Sequence, residues 1–172
     1  LGSHVCDLLL SKGYEVRAFV RKTSDLFRLK DKNVELCFGS LNDLPSLKET
    51  IRGADYIVHC AGLIAADSKE AFLKGNLEGT KNILKASIEI NPGLKKFVYI
   101  SSQAAGSASK GKIPVNESTL ARPLTDYGKS KLAAEIETMK YKNRIPVTIL
   151  RPSGIYGPGD RPTMNFFKFA KR

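Results

Sequence analysis

Short apolar runs alternate along the chain with longer segments in which apolar residues recur every three or four positions. Runs rich in β-branched and aromatic residues predict strands, and the spaced segments predict amphipathic helices. The predicted strands are Glu15–Arg21, Val34–Phe38, Tyr56–Cys60, Lys96–Ile100 and Val147–Leu150. The predicted helices are Gly2–Ser11, Asp43–Arg52, Ser68–Glu89 and Asp126–Tyr141. This alternation predicts an α/β domain with a doubly wound parallel sheet, because helices that connect parallel strands cover both faces.

Two irregular stretches, Gln103–Thr125 and Pro152–Pro162, are rich in Gly, Pro and Ser, and each follows a predicted strand. Ligands bind such sheets at the carboxyl ends of the strands, so these stretches are candidate site loops. The helix that begins at Asp126 is predicted to have one apolar face, formed by Leu132, Ala133, Ile136 and Met139.

Tyr127 is followed four residues later by Lys131 on this helix, so the two side chains lie one turn apart and can meet. A free phenol titrates near ~10, and holding it ready to exchange a proton at pH 7 needs a shift of roughly 3 units, about 4 kcal/mol. A neighbouring cation contributes to that shift by stabilising the phenolate. The alternative interpretation is a solvated helix face in a lysine-rich chain.

Ser102 follows the predicted strand Lys96–Ile100 and precedes Tyr127 in the chain. Its hydroxyl can hold a substrate oxygen within reach of Tyr127, which is the geometry that a general acid or base needs. Ordinary turn chemistry after a strand is the alternative for two adjacent serines. The combination with Tyr127 and Lys131 outweighs that alternative, so Ser102, Tyr127 and Lys131 are the candidate catalytic residues.

Length and charge limit the other classes of function. The 172 residues, 42% of them hydrophobic, are enough for one globular domain. The formal charge of +11 invites a nucleic-acid interpretation, but Lys and Arg are scattered and no zinc-finger or RNP-like motif is present. We therefore predict no nucleic-acid partner, and the charge can instead attract an anionic cofactor or substrate.

Cys6, Cys37 and Cys60 fall in one predicted helix and two predicted strands, which predicts small buried side chains and neither a disulfide set nor a metal site. No apolar run reaches the ~20 residues that span a bilayer, and the start of the chain lacks the pattern of a signal peptide. We therefore expect a soluble, cytoplasmic protein without membrane association.

Several motifs occur in an order that resembles the extended short-chain dehydrogenase/reductase family, which includes NAD-dependent epimerases and dehydratases, dihydroflavonol reductases and 3β-hydroxysteroid dehydrogenases. Besides Ser102, Tyr127 and Lys131, the motifs are His59-Cys-Ala-Gly62, Asn76-Leu-Glu-Gly-Thr80 and Leu150-Arg-Pro-Ser-Gly-Ile-Tyr-Gly-Pro-Gly-Asp160. The resemblance covers essentially the whole chain and implies a Rossmann-type sheet. It also implies that the domain is truncated at both ends, without its first strand and without the C-terminal substrate region.

The resemblance further implies how the cofactor is held. Gly2 resembles the last glycine of the turn whose backbone amides receive the pyrophosphate at a helix N-terminus. Arg21 and Lys22 stand where an acidic residue binds the ribose of NAD or a basic residue pairs with the extra phosphate of NADP. NADP is therefore favoured over NAD, and the alternative is a solvated basic pair.

Other cofactor-binding residues follow from the same resemblance. Ser40 and Leu41 occupy the place of an Asp-Leu pair that usually contacts the adenine. Ala61 and Gly62 resemble small residues that let the cofactor lie close to a strand, and Asn76 resembles the asparagine of the helix packed behind the site. The segment expected to line the nicotinamide contains Pro152, Ser153 and Ile155.

The implied function is that of an NAD(P)-dependent epimerase, dehydratase or reductase, in which hydride moves between nicotinamide and a carbinol or ketone carbon. Tyr127 exchanges the proton, Lys131 lowers its pKa and holds the nicotinamide ribose, and Ser102 orients the substrate oxygen. The expected substrate is a small molecule, either a nucleotide sugar or a dihydroflavonol-like compound, and a homodimer is a possible assembly. The alternative is a non-catalytic NAD(P)-binding or scaffolding member, against which the intact set of three residues argues.

Overall fold

A computed structural model describes residues 1–109, 111–160 and 169. Its strands are β1 (Val16–Val20), β2 (Val34–Phe38), β3 (Tyr56–His59), β4 (Lys96–Ile100) and β5 (Val147–Leu150). Its helices are α1 (Gly2–Ser11), α2 (Leu44–Ile51), α3 (Lys69–Phe72), α4 (Gly79–Ile90) and α5 (Asp126–Met139). A π-helical turn, Leu73–Glu78, joins α3 to α4, and a short 3-10 helix, Gln103–Ala105, follows β4. The predicted strands and helices are confirmed, with ends that differ by one or two residues, except that the predicted helix Ser68–Glu89 is divided into α3, the π-helical turn and α4.

All paired strands are parallel, as the alternation of strands and helices predicts. In the described residues the strands form two sheets, β1–β2 and β3–β4–β5. Val16 pairs with Val34 in the first sheet, and Phe97 pairs with Val147 in the second. Because parallel strands end on the same edge, the segments after β3, β4 and β5 emerge side by side.

The hydrophobic core joins α2 and α4 to β4. Leu47 from α2, Leu84 from α4 and Phe97 and Tyr99 from β4 are each at most 1% exposed. Full burial of an aliphatic or phenyl side chain stabilises the fold by about 1.5–3 kcal/mol. These contacts fix the central strand, and with it the position of the segment that follows Ile100.

The apolar face predicted for α5 is wrong as a buried face. Ile136 and Met139 are 57% and 44% exposed, and Leu132 and Ala133 are only partly buried. The buried residues of this helix are Gly128, Ser130, Lys131, Ala134, Glu135 and Thr138. Small side chains let the helix approach its neighbours closely, and its buried polar groups have hydrogen-bond partners, so a largely polar side can face inward.

The three cysteines are free thiols, and the buried side chains predicted for them are only partly buried. Burial is the main reason why the pKa of each thiol lies above its ordinary value. Among the described residues no cluster of side chains has the composition of a metal site. No helix in this part of the chain is long and apolar enough to cross a bilayer.

Candidate active site

Helix α5 carries Tyr127 in its first turn and Lys131 in its second. Thr125 caps the helix, because its Oγ1 accepts a hydrogen bond from the backbone N–H of Gly128 at 3.0 Å. The Tyr127 ring is half-buried and lies 6.0 Å from the ring of Phe72, between centroids. The helix therefore holds the phenol at a defined place beside the end of α3.

Lys131 is a buried cation, only 4% exposed. Its Nζ donates a 2.7 Å hydrogen bond to the carbonyl of Ile100, the last residue of β4, and lies 4.3 Å from the centre of the Tyr99 ring. Burial lowers the pKa of Lys131 to about 8, although the nearby Glu135 carboxylate opposes that shift. The lysine therefore keeps its charge at neutral pH at the carboxyl end of the central strand.

Ser102 lies directly beyond the end of β4 and is half-buried. Its Oγ accepts a hydrogen bond from the backbone N–H of Ala104 at 3.1 Å and so begins the 3-10 helix. A Cβ on Gly128 would overlap the carbonyl oxygen of Ala104. The first turn of α5 thus lies directly against the turn that begins at Ser102, and Ser102 and Tyr127 are carried by two elements in contact.

Asn76, 2% exposed, connects the loop after β3 to α5. Its Oδ1 accepts a 2.6 Å hydrogen bond from the N–H of Leu63, and its Nδ2 donates to the carbonyl of Leu63 at 3.1 Å. Nδ2 also donates at 2.9 Å to Ser130 Oγ, which in turn donates to the carbonyl of Tyr127 at 2.7 Å. The asparagine lies in the π-helical turn, a feature that occurs often at functional sites.

Gly62 lies between two of these polar groups. A Cβ at this position would lie 3.0 Å from Asn76 Oδ1 and 3.7 Å from Lys131 Nζ. Gly62 and its neighbour Ala61 are exposed after the end of β3. The small side chains leave this strand end open to a flat ligand that approaches Lys131, which fits the dinucleotide expected from the sequence.

A second buried polar group lies one turn beyond Lys131. The carboxylate of Glu135, 4% exposed, accepts a hydrogen bond from Ser101 Oγ at 2.5 Å. It also pairs with Arg151, whose Nε lies 2.9 Å from Oε1 and whose Nη2 lies 2.6 Å from Oε2. Through Ser101 and Arg151, Glu135 joins α5 to the ends of β4 and β5. The sequence analysis did not identify this cluster.

The segment after β5 also reaches the end of β4. The N–H of Gln103 donates a 2.9 Å hydrogen bond to the carbonyl of Pro152. Ser153 and Ile155 follow as exposed residues. The structure therefore places the segment expected to line the nicotinamide beside the turn that begins at Ser102.

The remaining candidates lie at the ends of β1 and β2. Arg21 and Lys22 are exposed, and a turn closed by the hydrogen bond from Arg21 N–H to Ser24 Oγ at 3.1 Å follows β1. Ser40 Oγ accepts from the N–H of Asn42 at 3.3 Å. None of these residues has a hydrogen bond with Ser102, Tyr127 or Lys131 in the described part of the chain.

The last two cofactor candidates are Leu41, which lies beside Gly79, and Gly2 at the start of α1. The carbonyl of Leu41 accepts a 2.8 Å hydrogen bond from Asn82 Nδ2. The Leu41 side chain packs closely on Gly79, because a Cβ on that glycine would lie only 2.8 Å from Leu41 Cδ1. Gly2 begins α1 without a side-chain cap, and a Cβ there would lie 4.0 Å from Cys60 Cβ, just beyond β3. The first backbone amides of a helix can bind the pyrophosphate of a dinucleotide.

Sequence reasoning missed Gly128, Ser130, Glu135 and Arg151. Gly128 carries a signal of its own, since glycine inside a helix costs about 1 kcal/mol relative to alanine and needs a reason. Glu135 follows Lys131 by four residues, so its place on the same side of α5 could have been inferred from helical periodicity. Its partners Ser101 and Arg151 lie on other elements and give no local signal.

Comparison with known proteins extends over the whole chain. Residues 1–172 match the NAD dependent epimerase/dehydratase family. The chain is 30% identical over 171 residues to sterol demethylase protein B of Methylococcus capsulatus, with 95% of this chain and 51% of the relative covered. It is also 30% identical over 172 residues to ceramide reductase of Caulobacter vibrioides, with 100% of this chain and 48% of the relative covered. The chain therefore spans about half the length of these relatives.

A solved structure of an epimerase also matches this chain. The UDP-glucuronic acid 4-epimerase of Bacillus cereus in complex with NAD superposes with a TM-score of 0.82 and 26% identity. The match covers 99% of this chain and 59% of that protein. The parallel strands and this similarity confirm the predicted Rossmann-type α/β class. The family match over the full chain, the order of the motifs and the fold agree, and the chain belongs to the NAD-dependent epimerase/dehydratase family.

Proposed function

We propose that the chain forms the cofactor-binding and proton-transfer part of an NAD(P)-dependent oxidoreductase, epimerase or dehydratase that acts on a carbinol or ketone carbon. The observation that carries the proposal is the buried cation Lys131, one turn after Tyr127 on α5 and bonded to the end of β4 just before Ser102. A lysine is buried with its charge only where that charge has a use or a partner.

Each of the three residues has a distinct task in this proposal. Tyr127 gives a proton to, or takes one from, the substrate oxygen as general acid or base. Lys131 stabilises the phenolate by its charge and binds the ribose next to the nicotinamide, while Ser102 orients the substrate oxygen. The cofactor supplies the hydride chemistry when it is bound.

The cofactor is held, in this proposal, by groups at the ends of four strands. The start of α1 at Gly2 receives the pyrophosphate, and Ala61 and Gly62 allow the dinucleotide to approach β3. Asn76 supports this loop through its two hydrogen bonds to Leu63. The residues proposed for the two ends of the cofactor are Arg21, Lys22, Ser40, Leu41, Pro152, Ser153 and Ile155.

The cofactor preference proposed for the chain is NADP over NAD, because two exposed cations follow β1 and no carboxylate stands there. For the substrate, the resemblance suggests a nucleotide sugar or a dihydroflavonol-like compound. The relatives named for sterol and ceramide chemistry favour a substrate with an apolar body. So do the exposed apolar side chains described in the loops after β3, β4 and β5, which are Ile64, Ile113, Val115, Leu120, Leu124, Ile155 and Tyr156.

The test is turnover by the whole protein that contains this chain. Reduction or oxidation of NAD and NADP would be followed by nicotinamide absorbance with three substrate panels: sterols and ceramides, dihydroflavonols, and nucleotide sugars. Sugar products would be separated by chromatography, because an epimerase returns its hydride and leaves no net absorbance change. We expect turnover with one panel; tight cofactor binding without turnover on any panel would favour the non-catalytic alternative.

A further inference from the structure

Glu135 is a buried charge for which the proposed chemistry has no direct use. It is 4% exposed and lies on α5 one turn beyond Lys131. Its two carboxylate oxygens accept hydrogen bonds from Ser101 Oγ and from Nε and Nη2 of Arg151. The Arg151 side chain is 32% exposed, so the arginine reaches the buried carboxylate from the surface.

The two partners of Glu135 stand next to candidate site residues. Ser101 is the residue immediately before Ser102, and its N–H donates a 2.7 Å hydrogen bond to the carbonyl of Leu150 at the end of β5. Arg151 is the residue immediately before Pro152. One carboxylate therefore joins the helix of Tyr127 and Lys131 to the two strand ends that lead into the rest of the site.

A buried ion pair is weak evidence for a role in stability, because well-packed apolar residues often stabilise a fold as well or better. Hydrogen bonds to a carboxylate are instead directional, and a carboxylate fixes a guanidinium in one plane. The arrangement of Ser101, Glu135 and Arg151 thus suits the task of holding three backbone segments at fixed distances from one another.

We propose that Glu135 is a positioning residue that sets Ser102 and the Pro152 segment relative to Tyr127 and Lys131. The proposal rests on the proposed function, since it assigns Glu135 a task in that reaction. It does not make Glu135 a group that touches substrate or cofactor.

The charge of Glu135 has a second effect, on Lys131. In the described part of the chain, the titratable groups near this lysine are Tyr127 and Glu135 on its own helix, His59 and Cys60 at the end of β3, and Tyr99 on β4. His59 is buried with its pKa lowered to about 3, so it is neutral, and Cys60 has a raised pKa. Among the described residues, Glu135 is thus the carboxylate that acts on Lys131 at neutral pH, and we expect its removal to lower the pKa of Lys131 further.

Two variants separate geometry from charge. Glu135→Gln keeps the shape but removes the charge and turns an N–H₂ toward the donors of Arg151. Glu135→Asp keeps the charge but is one methylene shorter. The matched control is Glu137→Gln on the same helix, because Glu137 pairs with the surface residue Lys140 at 2.7 Å.

We expect Glu135→Gln to lower kcat by about 100-fold with a much smaller change in KM, as for a misplacement of about 1 Å. The alkaline limb of its pH–rate profile should move to lower pH, because Lys131 loses its proton sooner. Glu135→Asp should keep the parent's alkaline limb while kcat stays depressed, and Glu137→Gln should match the parent. Variants that are less stable but keep the parent's kcat and pH profile would overturn the proposal.

A readout without turnover separates this proposal from the proposed function. Amide hydrogen exchange of the segments that contain Ser101–Ser102 and Arg151–Pro152 should rise in Glu135→Gln and stay unchanged in Glu137→Gln. The pKa of Lys131, measured by NMR on labelled lysine, should fall only in Glu135→Gln. If the parent has no turnover, the proposed function fails, whereas unchanged exchange and an unchanged lysine pKa reject the positioning role.

Discussion

Among the candidate residues, Asn76 and Lys131 are buried and hydrogen-bonded, whereas Arg21 and Lys22 at the end of β1 are exposed. Asn76 bonds to both Leu63 and Ser130, and Lys131 bonds to Ile100, all in buried or partly buried surroundings. Arg21 and Lys22 have no hydrogen bond or ion pair through their side chains among the described residues.

This difference in burial predicts how much a replacement at each place destabilises the fold. Loss of one partner in a buried hydrogen bond leaves a polar group unsatisfied and costs about 1–3 kcal/mol. An exposed charge contributes about 0–1 kcal/mol to stability, so it can be replaced without harm to the fold. We therefore expect replacement of Asn76 to destabilise the fold, whereas Arg21 and Lys22 can be replaced without such a loss.

Replacement of the proposed proton donor should have the largest effect. Tyr127→Phe in the whole protein should lower turnover by about 10²–10⁴-fold, because the transferable proton is lost while the ring remains packed on Phe72. Cofactor affinity, measured by calorimetry, should change little. Tyr141→Phe, beyond the other end of α5, is the matched control, and near-normal turnover in Tyr127→Phe would contradict the assigned role.

A charge reversal after β1 should change cofactor choice without a loss of stability. If Arg21 binds the 2′-phosphate as proposed, its contacts should favour NADP by about 1.5–3 kcal/mol, roughly 10- to 150-fold in dissociation constant. Arg21→Asp should remove that preference and leave the thermal midpoint unchanged. Arg144→Asp, an exposed arginine after α5, is the control. Equal affinities for NAD and NADP in the parent would refute the preference.

The contact between α5 and the turn after Ser102 can be broken with a single methyl group. Gly128→Ala places a Cβ against the Ala104 carbonyl, and such overpacking should lower the free energy of unfolding by about 1–3 kcal/mol and reduce turnover. Chemical denaturation measures the first effect. Gly93→Ala is the control, because a Cβ there meets no atom within 4 Å. Equal losses in both variants would mean that the close approach is unimportant.

Lys131→Met should show that the buried cation is kept for chemistry at the expense of stability. The native pKa of about 8 lies below the unfolded value of 10.5, so the unfolded chain binds more protons between these pH values. The parent should therefore become more stable as the pH rises from 8 to 10.5, and the variant should lack that rise. At pH 7 we expect the variant to be more stable by about 1 kcal/mol, after loss of the bond to Ile100.

Denaturation at pH 7 and at pH 9.5 measures the effect, with Lys140→Met as the surface control. The same variant should lose both rate and cofactor affinity. If it were less stable than the parent at pH 7 and equally stable at pH 9.5, Lys131 would be a stabilising residue and the pH dependence would have the opposite sign.

The sequence predicted the strands and helices because their periodicity depends on residues close in the chain. The spacing of Tyr127 and Lys131 and the position of Ser102 after a strand also suggested three candidates for one site. Their roles remain predictions.

The inward side of α5 was not predicted, because it depends on contacts between residues far apart in the chain. The inward side of α5 is polar because Glu135 meets Ser101, 34 residues away, and Arg151, 16 residues away. Such partners leave no periodic pattern, so the sequence predicted an apolar face formed by Leu132, Ala133, Ile136 and Met139 instead. The π-helical turn around Asn76 was likewise predicted as ordinary helix, since one added residue in a turn hardly changes the spacing of apolar positions.

The bond between Asn76 and Ser130 spans 54 residues of sequence, and β4 pairs with β5 across the whole of α5. Contacts between such distant residues require closure of long loops, which makes their formation slow. During synthesis, the segment up to α5 can leave the ribosome before β5 exists to pair with β4. We therefore expect the proposed proton-transfer site to be among the last described parts of the chain to become ordered during folding.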